Sequence, residues 1–121
     1  MKTRIWLTGF EPFGSHLQNP SQILVERLLG THHEVQLEVI PPYGFESESI
    51  ELEFGGQILT VDIHGSQASL SEIGDFDAVI HVGLNEKVKK INLEMCAINE
   101  SDFRIPDNLG RMVEQSSIED S

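Results

Sequence analysis

Residues 4–14, Arg-Ile-Trp-Leu-Thr-Gly-Phe-Glu-Pro-Phe-Gly, decide how the first part of the chain folds. Residues 4–8 are apolar and rich in strand formers, and Gly9 ends the run, so the pattern predicts a β-strand that leads into a loop. The loop holds Phe10 and Phe13. Two interpretations are open: the rings pack under the loop as core, or they form the wall of an apolar pocket at the carboxyl end of the strand, where open α/β sheets place ligands.

Helix and strand patterns alternate around this loop. Asn19 can cap a helix and Pro20 suits its first position, so the apolar spacing that follows predicts a helix over residues 19–29. Residues 35–40 alternate, which predicts a second strand. The continuous apolar run at residues 77–82 predicts a central strand buried on both faces. The alternation predicts an α/β fold with a mainly parallel central sheet and the helix packed on one face.

The middle of the chain is less regular. Residues 50–63 alternate on either side of Gly55 and Gly56, which predicts a β-hairpin inserted near the two glycines and projecting from the sheet. Residues 66–73 predict a short helix.

A polar stretch rich in turn formers covers residues 92–108. Ile91, Leu93 and Met95 alternate at its start, which predicts a strand with Glu94 on the opposite side. Glu94 is the best candidate for a functional carboxylate, although a solvated glutamate is the commoner case. We expect Cys96 to be buried and inert, because a carboxylate on the same strand face disfavours the reactive thiolate.

Residues 104–110 carry turn chemistry, and residues 111–121 have few apolar residues, so we expect this last segment to lack fixed structure. His81 lies in an apolar strand and is expected to be a satisfied core histidine. His32, His33 and His64 have no further ligand at metal-binding spacing, and the chain has no Gly-rich phosphate loop. The sequence therefore predicts no metal and no cofactor.

Length and charge limit the classes of protein to which this chain can belong. A chain of 121 residues predicts one domain, and its net charge of −12 argues against nucleic-acid binding because no basic stretch can neutralise phosphates. No apolar run approaches the ~20 residues that span a membrane. The single cysteine excludes an internal disulfide, and a cytoplasmic location is the expectation.

Five motifs occur in a fixed order, and together they resemble one family, pyroglutamyl peptidase I (pyrrolidone carboxyl peptidase). They are Thr-Gly-Phe-Glu-Pro-Phe-Gly at 8–14, Asn-Pro-Ser at 19–21, His-Val-Gly-Leu at 81–84, Glu94 with Ala-Ile-Asn at 97–99, and Arg-Ile-Pro-Asp-Asn-Leu-Gly at 104–110. The resemblance runs from residue 3 to about 110. It corresponds to the amino-terminal half or so of the family.

The resemblance implies a three-layer α/β/α fold and a cytosolic cysteine peptidase, often a homotetramer, that removes amino-terminal pyroglutamate from peptides with a Glu, a Cys and a His. It implies that Glu94 is the catalytic glutamate, which orients and stabilises the histidine. It also implies that Phe10 and Phe13 hold the lactam ring and that Asn19 and Ile105 line the same pocket.

The chain departs from the family in three ways. Cys96 does not match the nucleophile, and none of the five histidines matches the catalytic one, because both lie in the carboxyl-terminal half of the family. Many members have Gln where this chain has Leu84. We therefore expect residues 1–121 to form a single incomplete domain, with its carboxyl-terminal part missing, that is inactive alone. Its expected partners are pyroglutamyl peptides once completed, and a second copy or a complementing chain. The alternative is a non-catalytic binding or assembly module that keeps the first half of the fold.

Overall fold

The structure, a computed structural model, describes residues 1–38, 47–68, 74–98, 103 and 105–118. Its helices and strands there are β1 (Lys2–Phe10), α1 (Pro20–Leu28), β2 (His32–Glu38), β3 (Ser47–Leu59), α2 (Ile63–Ala68) and β4 (Ala78–His81). The strands form one sheet in the order β2-β3-β1-β4. Strand β1 pairs in parallel with β3 and β4, and β2 runs antiparallel to β3. The predicted α/β fold with a mainly parallel sheet is confirmed. None of the helices in the described part of the chain has the length and apolar character that a membrane span requires.

Helices cover both faces of the sheet. A Cβ atom at Gly9 would lie 2.5 Å from the carbonyl oxygen of Ser21, so only glycine lets α1 approach β1 this closely. Thr8 points to the opposite face because side chains alternate along a strand. On that face Gln57, the register partner of Thr8, donates a hydrogen bond of 3.1 Å to the carbonyl of Ala68 in α2. The sheet thus lies between two helical layers.

The first turn of α1 is tied to the loop that follows β1. Asn19 is 1% exposed, and its Oδ1 accepts hydrogen bonds from the backbone N–H of Ser21 at 3.0 Å and from its hydroxyl at 2.7 Å. The Asn19 amide donates to the carbonyl of Glu11 at 3.1 Å, and the backbone N–H of Phe10 donates to Ser21 Oγ at 2.9 Å. The predicted cap is confirmed, and it also anchors the aromatic loop.

The predicted hairpin at Gly55 and Gly56 is wrong. Both glycines lie inside β3, a single strand of 13 residues. A Cβ at Gly55 would lie 2.7 Å from Cζ of Phe76, and one at Gly56, whose φ is 154°, would lie 1.9 Å from the carbonyl oxygen of Leu7. The glycines therefore allow close packing of neighbouring groups against the strand and make no turn.

Two further strand predictions need correction. The strand predicted at residues 35–40 belongs to β2, an antiparallel edge strand that begins earlier, and the last two residues of that range lie outside the described residues. The strand predicted as central at residues 77–82 is β4, which lies at an edge of the described sheet with Ile80 46% exposed. Strand β1 lies at an inner position of the described sheet beside β3, and its Leu7 is 3% exposed.

The strand predicted around Glu94 is also wrong. The structure gives residues 91–98 no regular secondary structure. Ile91 is 100% exposed, Leu93 84% and Met95 86%. Alternating side chains do not make a strand unless a neighbouring backbone pairs with it, because an isolated strand leaves its N–H and C=O groups without partners.

The short helix predicted at residues 66–73 is α2, which spans Ile63–Ala68, and residues 69–73 lie outside the described residues. The lack of fixed structure expected for residues 111–121 stays a prediction, and residues 119–121 also lie outside them.

Gly9→Ala tests the close contact of α1 with β1. The new methyl group would overlap the Ser21 carbonyl, so we expect a loss of about 1–3 kcal/mol in the free energy of unfolding. The measurement is urea denaturation followed by circular dichroism. Gly83→Ala is the matched control, because among the described residues no atom other than those of its chain neighbours lies within 4 Å of its Cβ position. Equal denaturation midpoints for the two variants would show that the contact is not tight.

Asn19 variants separate capping from anchoring of the loop. Asn19→Asp keeps the acceptor for Ser21 and loses the donor to Glu11, whereas Asn19→Ala loses both. We expect Asn19→Ala to cost about 1–2 kcal/mol of stability and Asn19→Asp less. Both variants should speed hydrogen exchange at the Phe10 amide. Asn85→Ala, at an exposed Asn that accepts from the Lys87 N–H, is the control. Unchanged Phe10 exchange in both Asn19 variants would contradict the anchoring role.

Candidate functional site

Three segments of the chain meet beyond the carboxyl end of β1. The loop at residues 10–14 starts at the last residue of β1, residues 59–62 start at the last residue of β3, and residues 105–110 come from far along the sequence. The N–H of Glu11 donates to the carbonyl of Leu59 at 3.0 Å, and the N–H of Asn108 donates to the carbonyl of Val61 at 2.8 Å. These backbone bonds dock the first and third segments onto the second.

A side-chain pair joins the same three segments. Oε1 of Glu11 accepts hydrogen bonds from the Asn108 amide at 2.7 Å and from the N–H of Val61 at 3.2 Å. The Asn108 amide also donates to the carbonyl of Pro12 at 3.2 Å. A carboxylate that accepts two bonds is held in one orientation, so Glu11 fixes its own loop.

Asp107 shapes the turn beside Asn108. Its Oδ1 accepts from the N–H groups of Leu109 at 3.0 Å and Arg111 at 2.8 Å, and its carbonyl accepts from Gly110 at 2.9 Å. Its buried Oδ2 has no hydrogen-bond partner in the part of the chain that the structure describes, and Nε of Arg111 lies 3.5 Å away as an ion pair. The turn chemistry predicted for this segment is confirmed.

Asp62 organises the other side of the junction. The N–H of Gly65 and the hydroxyl of Thr60 each donate to Asp62 Oδ1 at 2.8 Å. The hydrogen bond from Gly65, followed in importance by that from Thr60, holds the pKa of Asp62 below its usual range. The carboxylate thus stays ionised and caps α2, directly after Val61.

Phe10 and Phe13, predicted from the sequence and the resemblance, are both half-buried beside this junction. The Phe13 ring lies edge-on to the His16 ring, with centroids 5.6 Å apart. Ile105 comes from the opposite side, and its Cδ1 lies 3.2 Å from the position of a Cβ at Gly14. The structure therefore brings Ile105 to the aromatic loop. Buried Asn19 holds the same loop through its hydrogen bond to the Glu11 carbonyl.

In the described part of the chain, no contact joins Glu94 to this arrangement. It is exposed within residues 91–98, and among the described residues it forms no hydrogen bond or ion pair. Cys96 was expected to be buried and is exposed instead, since no strand forms there to carry it into a core. Its sulfur lies 3.8 Å from the carbonyl oxygen of Ala97.

Two histidines lie near the junction. Nδ1 of His81 lies 2.7 Å from Oγ1 of Thr8, so His81 has a partner as expected, but the residue is exposed and is not part of the core. Nε2 of His16 contacts Oε1 of Glu86. Among the residues that the structure describes, no three His, Cys, Asp or Glu side chains converge as a metal-binding group.

The sequence did not identify Glu11 and Asn108 as partners. The available signal was a carboxylate placed between two phenylalanines in a short loop, where a charge needs a specific partner. Nothing in the spacing pointed to a residue 97 positions away.

Comparisons with known proteins agree on one family. A family model described as pyroglutamyl peptidase matches residues 3–121. The pyrrolidone-carboxylate peptidase of Coprothermobacter proteolyticus is 33% identical over 119 residues, which cover 96% of this chain and 50% of the relative. The enzyme of the same name from Pyrococcus furiosus is also 33% identical over 119 residues, covering 95% of this chain and 49% of the relative.

Solved structures give the same result. A mutant pyrrolidone carboxyl peptidase from P. furiosus superposes with a TM-score of 0.74 at 28% identity, covering 96% of this chain and 50% of that one. The enzyme from Fervidobacterium islandicum gives a TM-score of 0.72 at 33% identity with the same coverage. The chain spans about half the length of the relatives it matches. It belongs to the pyroglutamyl peptidase family of cysteine peptidases, of which it matches the amino-terminal portion.

Proposed function

We propose that this chain is the amino-terminal part of an enzyme that removes amino-terminal pyroglutamate from peptides in the cytoplasm. The observation that carries this proposal is the meeting of the aromatic loop at residues 10–14 with Ile105 at the carboxyl end of β1. Open α/β sheets place their ligands at this end of the strands. The relatives' name, pyrrolidone-carboxylate peptidase, supports the same substrate.

The proposed pocket suits the chemistry of a lactam ring. Pyroglutamate is small, flat and mostly apolar, so aromatic walls can bury its faces while a few polar groups satisfy its N–H and carbonyl. Phe10 and Phe13 supply the walls, and Ile105 closes the opposite side. Asn19 borders the pocket and keeps the loop in place through its hydrogen bond to the Glu11 carbonyl.

We propose that Glu94 orients a catalytic histidine and that the nucleophilic Cys and the His are absent from these 121 residues. A carboxylate can orient a base but cannot replace a thiolate nucleophile. Cys96 is a poor substitute, because a nucleophilic thiol needs a base within reach. Among the described residues, the contact of its sulfur is with the carbonyl oxygen of Ala97, which is not a base. Residues 1–121 would then form an incomplete domain, completed by a further segment, a complementing chain or a second copy.

The 121-residue chain alone should not release pyroglutamate from a chromogenic pyroglutamyl amide, because it lacks the attacking group. The measurement is absorbance of the released amine over a long incubation. Turnover that survives Cys96→Ser would refute the argument from missing groups. Turnover that disappears in Cys96→Ser would instead identify Cys96 as the nucleophile.

Phe13→Ala tests the pocket in a protein whose missing half is supplied by a pyroglutamyl peptidase relative. We expect the Michaelis constant to rise while stability changes little, since Phe13 lies in a loop peripheral to the sheet. The matched control is Phe76→Ala, whose ring packs on Trp6 with centroids 5.0 Å apart, away from the loop. That variant should lose stability and keep its Michaelis constant. A loss of about 3–5 kcal/mol for Phe13→Ala with an unchanged Michaelis constant would place Phe13 in the core and sink the pocket.

One observation favours a second candidate, an assembly module without catalysis. Ile91, Leu93, Met95 and Ile98 are all strongly exposed, and such a segment suits contact with another polypeptide. The intact mass of the natural product discriminates between the two candidates. A folded product near 13.5 kDa supports the module, and a longer product that contains a further Cys and His supports the peptidase.

A further inference from the structure

The backbone and the side chain of Glu11 both form hydrogen bonds to other segments. Its N–H donates to Leu59, its carbonyl accepts from Asn19, and its carboxylate accepts from Val61 and Asn108. Phe10 precedes it and Pro12 and Phe13 follow it, so the position of this one residue determines where the aromatic rings lie.

Asn108 does the same for the opposite wall. Its backbone N–H is fixed on Val61, and both bonds of its side-chain amide reach the loop, at Glu11 and at Pro12. Ile105 lies three residues earlier, on the turn that Asp107 shapes. The side-chain bonds of Asn108 to Glu11 and Pro12 therefore link the aromatic loop directly to the turn that carries Ile105.

We propose that Glu11 and Asn108 are positioning residues for pyroglutamate recognition. They hold the loop at residues 10–14 and the turn at residues 105–110 at the separation that fits a lactam ring, without touching the ring. The inference rests on the proposed function, because it names which residues keep that pocket in shape.

The proposal can be tested because the hydrogen bond between Asn108 and Glu11 has a fixed donor and a fixed acceptor. A carboxylate only accepts hydrogen bonds, and the Asn108 NH₂ group only donates. Asn108→Asp would place two carboxylates together, and two further acidic residues are adjacent in sequence to the linked positions: Asp62 follows Val61, and Asp107 precedes position 108. The described cation that directly follows the turn, Arg111, already forms an ion pair with Asp107. The variant should therefore push the two segments apart.

Glu11→Gln provides the rescue. The Gln carbonyl can still accept from Val61 and from Asn108, so this single variant should behave like the wild type. Combined with Asn108→Asp, the Gln amide can donate to the new carboxylate, which restores the link with donor and acceptor exchanged. A general loss of stability in Asn108→Asp would not be recovered by Glu11→Gln. Recovery requires that the two side chains bond to each other, whichever of them donates.

The experiment is an NMR titration of the 121-residue chain with L-pyroglutamate. We expect Asn108→Asp to weaken binding about tenfold, Glu11→Gln to stay within about threefold of the wild type, and the double variant to regain most of the loss. The matched control is Gln22→Glu on α1, where the Gln22 amide donates to Glu26 at 2.9 Å on an exposed surface. It makes the same amide-to-acid change facing a carboxylate, and should bind like the wild type.

A second readout follows the pocket itself. Cross-relaxation between Gly14 and the Ile105 methyl should be present in the wild type, weaken in Asn108→Asp and return in the double variant. If Asn108→Asp fails to fold, Asn108→Ala removes both side-chain bonds without added charge, and it should weaken binding by about fivefold.

The outcomes separate the two proposals. If the wild type binds L-pyroglutamate and Asn108→Asp, or Asn108→Ala in its place, binds as tightly, the positioning role is overturned while the proposed function stands. The positioning role is likewise overturned if Glu11→Gln fails to rescue a folded Asn108→Asp chain. If the wild type shows no binding, the same variants are compared in the protein whose missing half is supplied by a relative. If that protein shows no binding either, pyroglutamate recognition by this pocket fails, and both proposals fall with it.

Discussion

The contact between the backbone of Gly9 and the first turn of α1 is the constraint on which the site depends. Because no side chain stands between them, Ser21 lies directly under the strand and can accept the N–H of Phe10. Asn19, fixed by the same turn, reaches the carbonyl of Glu11. The close approach of α1 to Gly9 thereby fixes the position of the aromatic loop relative to the sheet. A larger residue at position 9 would lift α1 and move the cap and the loop together.

Local chemistry made part of this fold predictable. The strand at residues 4–8 and the helix at residues 19–29 were predicted at nearly their observed bounds, because an apolar run, an Asn cap and a Pro act within a few residues of themselves. The pair Gly55 and Gly56 was misinterpreted for a physical reason. Glycine serves both tight turns and close packing, and only the positions of Phe76 and Leu7 reveal which one applies.

The candidate site also has residues that the sequence predicted and a link that it did not. The sequence drew attention to Phe10 and Phe13 as an unusual loop, and the resemblance to a known family implied Asn19 and Ile105. The link between Glu11 and Asn108 could not be predicted, because its two halves are far apart in sequence and each looks like an ordinary polar residue of a turn. Only the pairing of β3 beside β1 brings the segment after Leu59 to the place where both can bind it.

The failed strand predictions concern neighbouring parts of the chain. Residues 77–82 have the apolar character of a strand covered on both faces, and residues 91–95 have the alternation of a strand with one covered face, yet Ile80 and Leu93 are exposed. Such patterns lower the free energy only when another element covers them. Among the described residues neither segment has such a cover, because β4 lies at an edge of the described sheet and residues 91–98 pair with no strand. The two failures therefore have one explanation: periodicity shows which side chains suit a covered face, but it does not show whether another element covers that face.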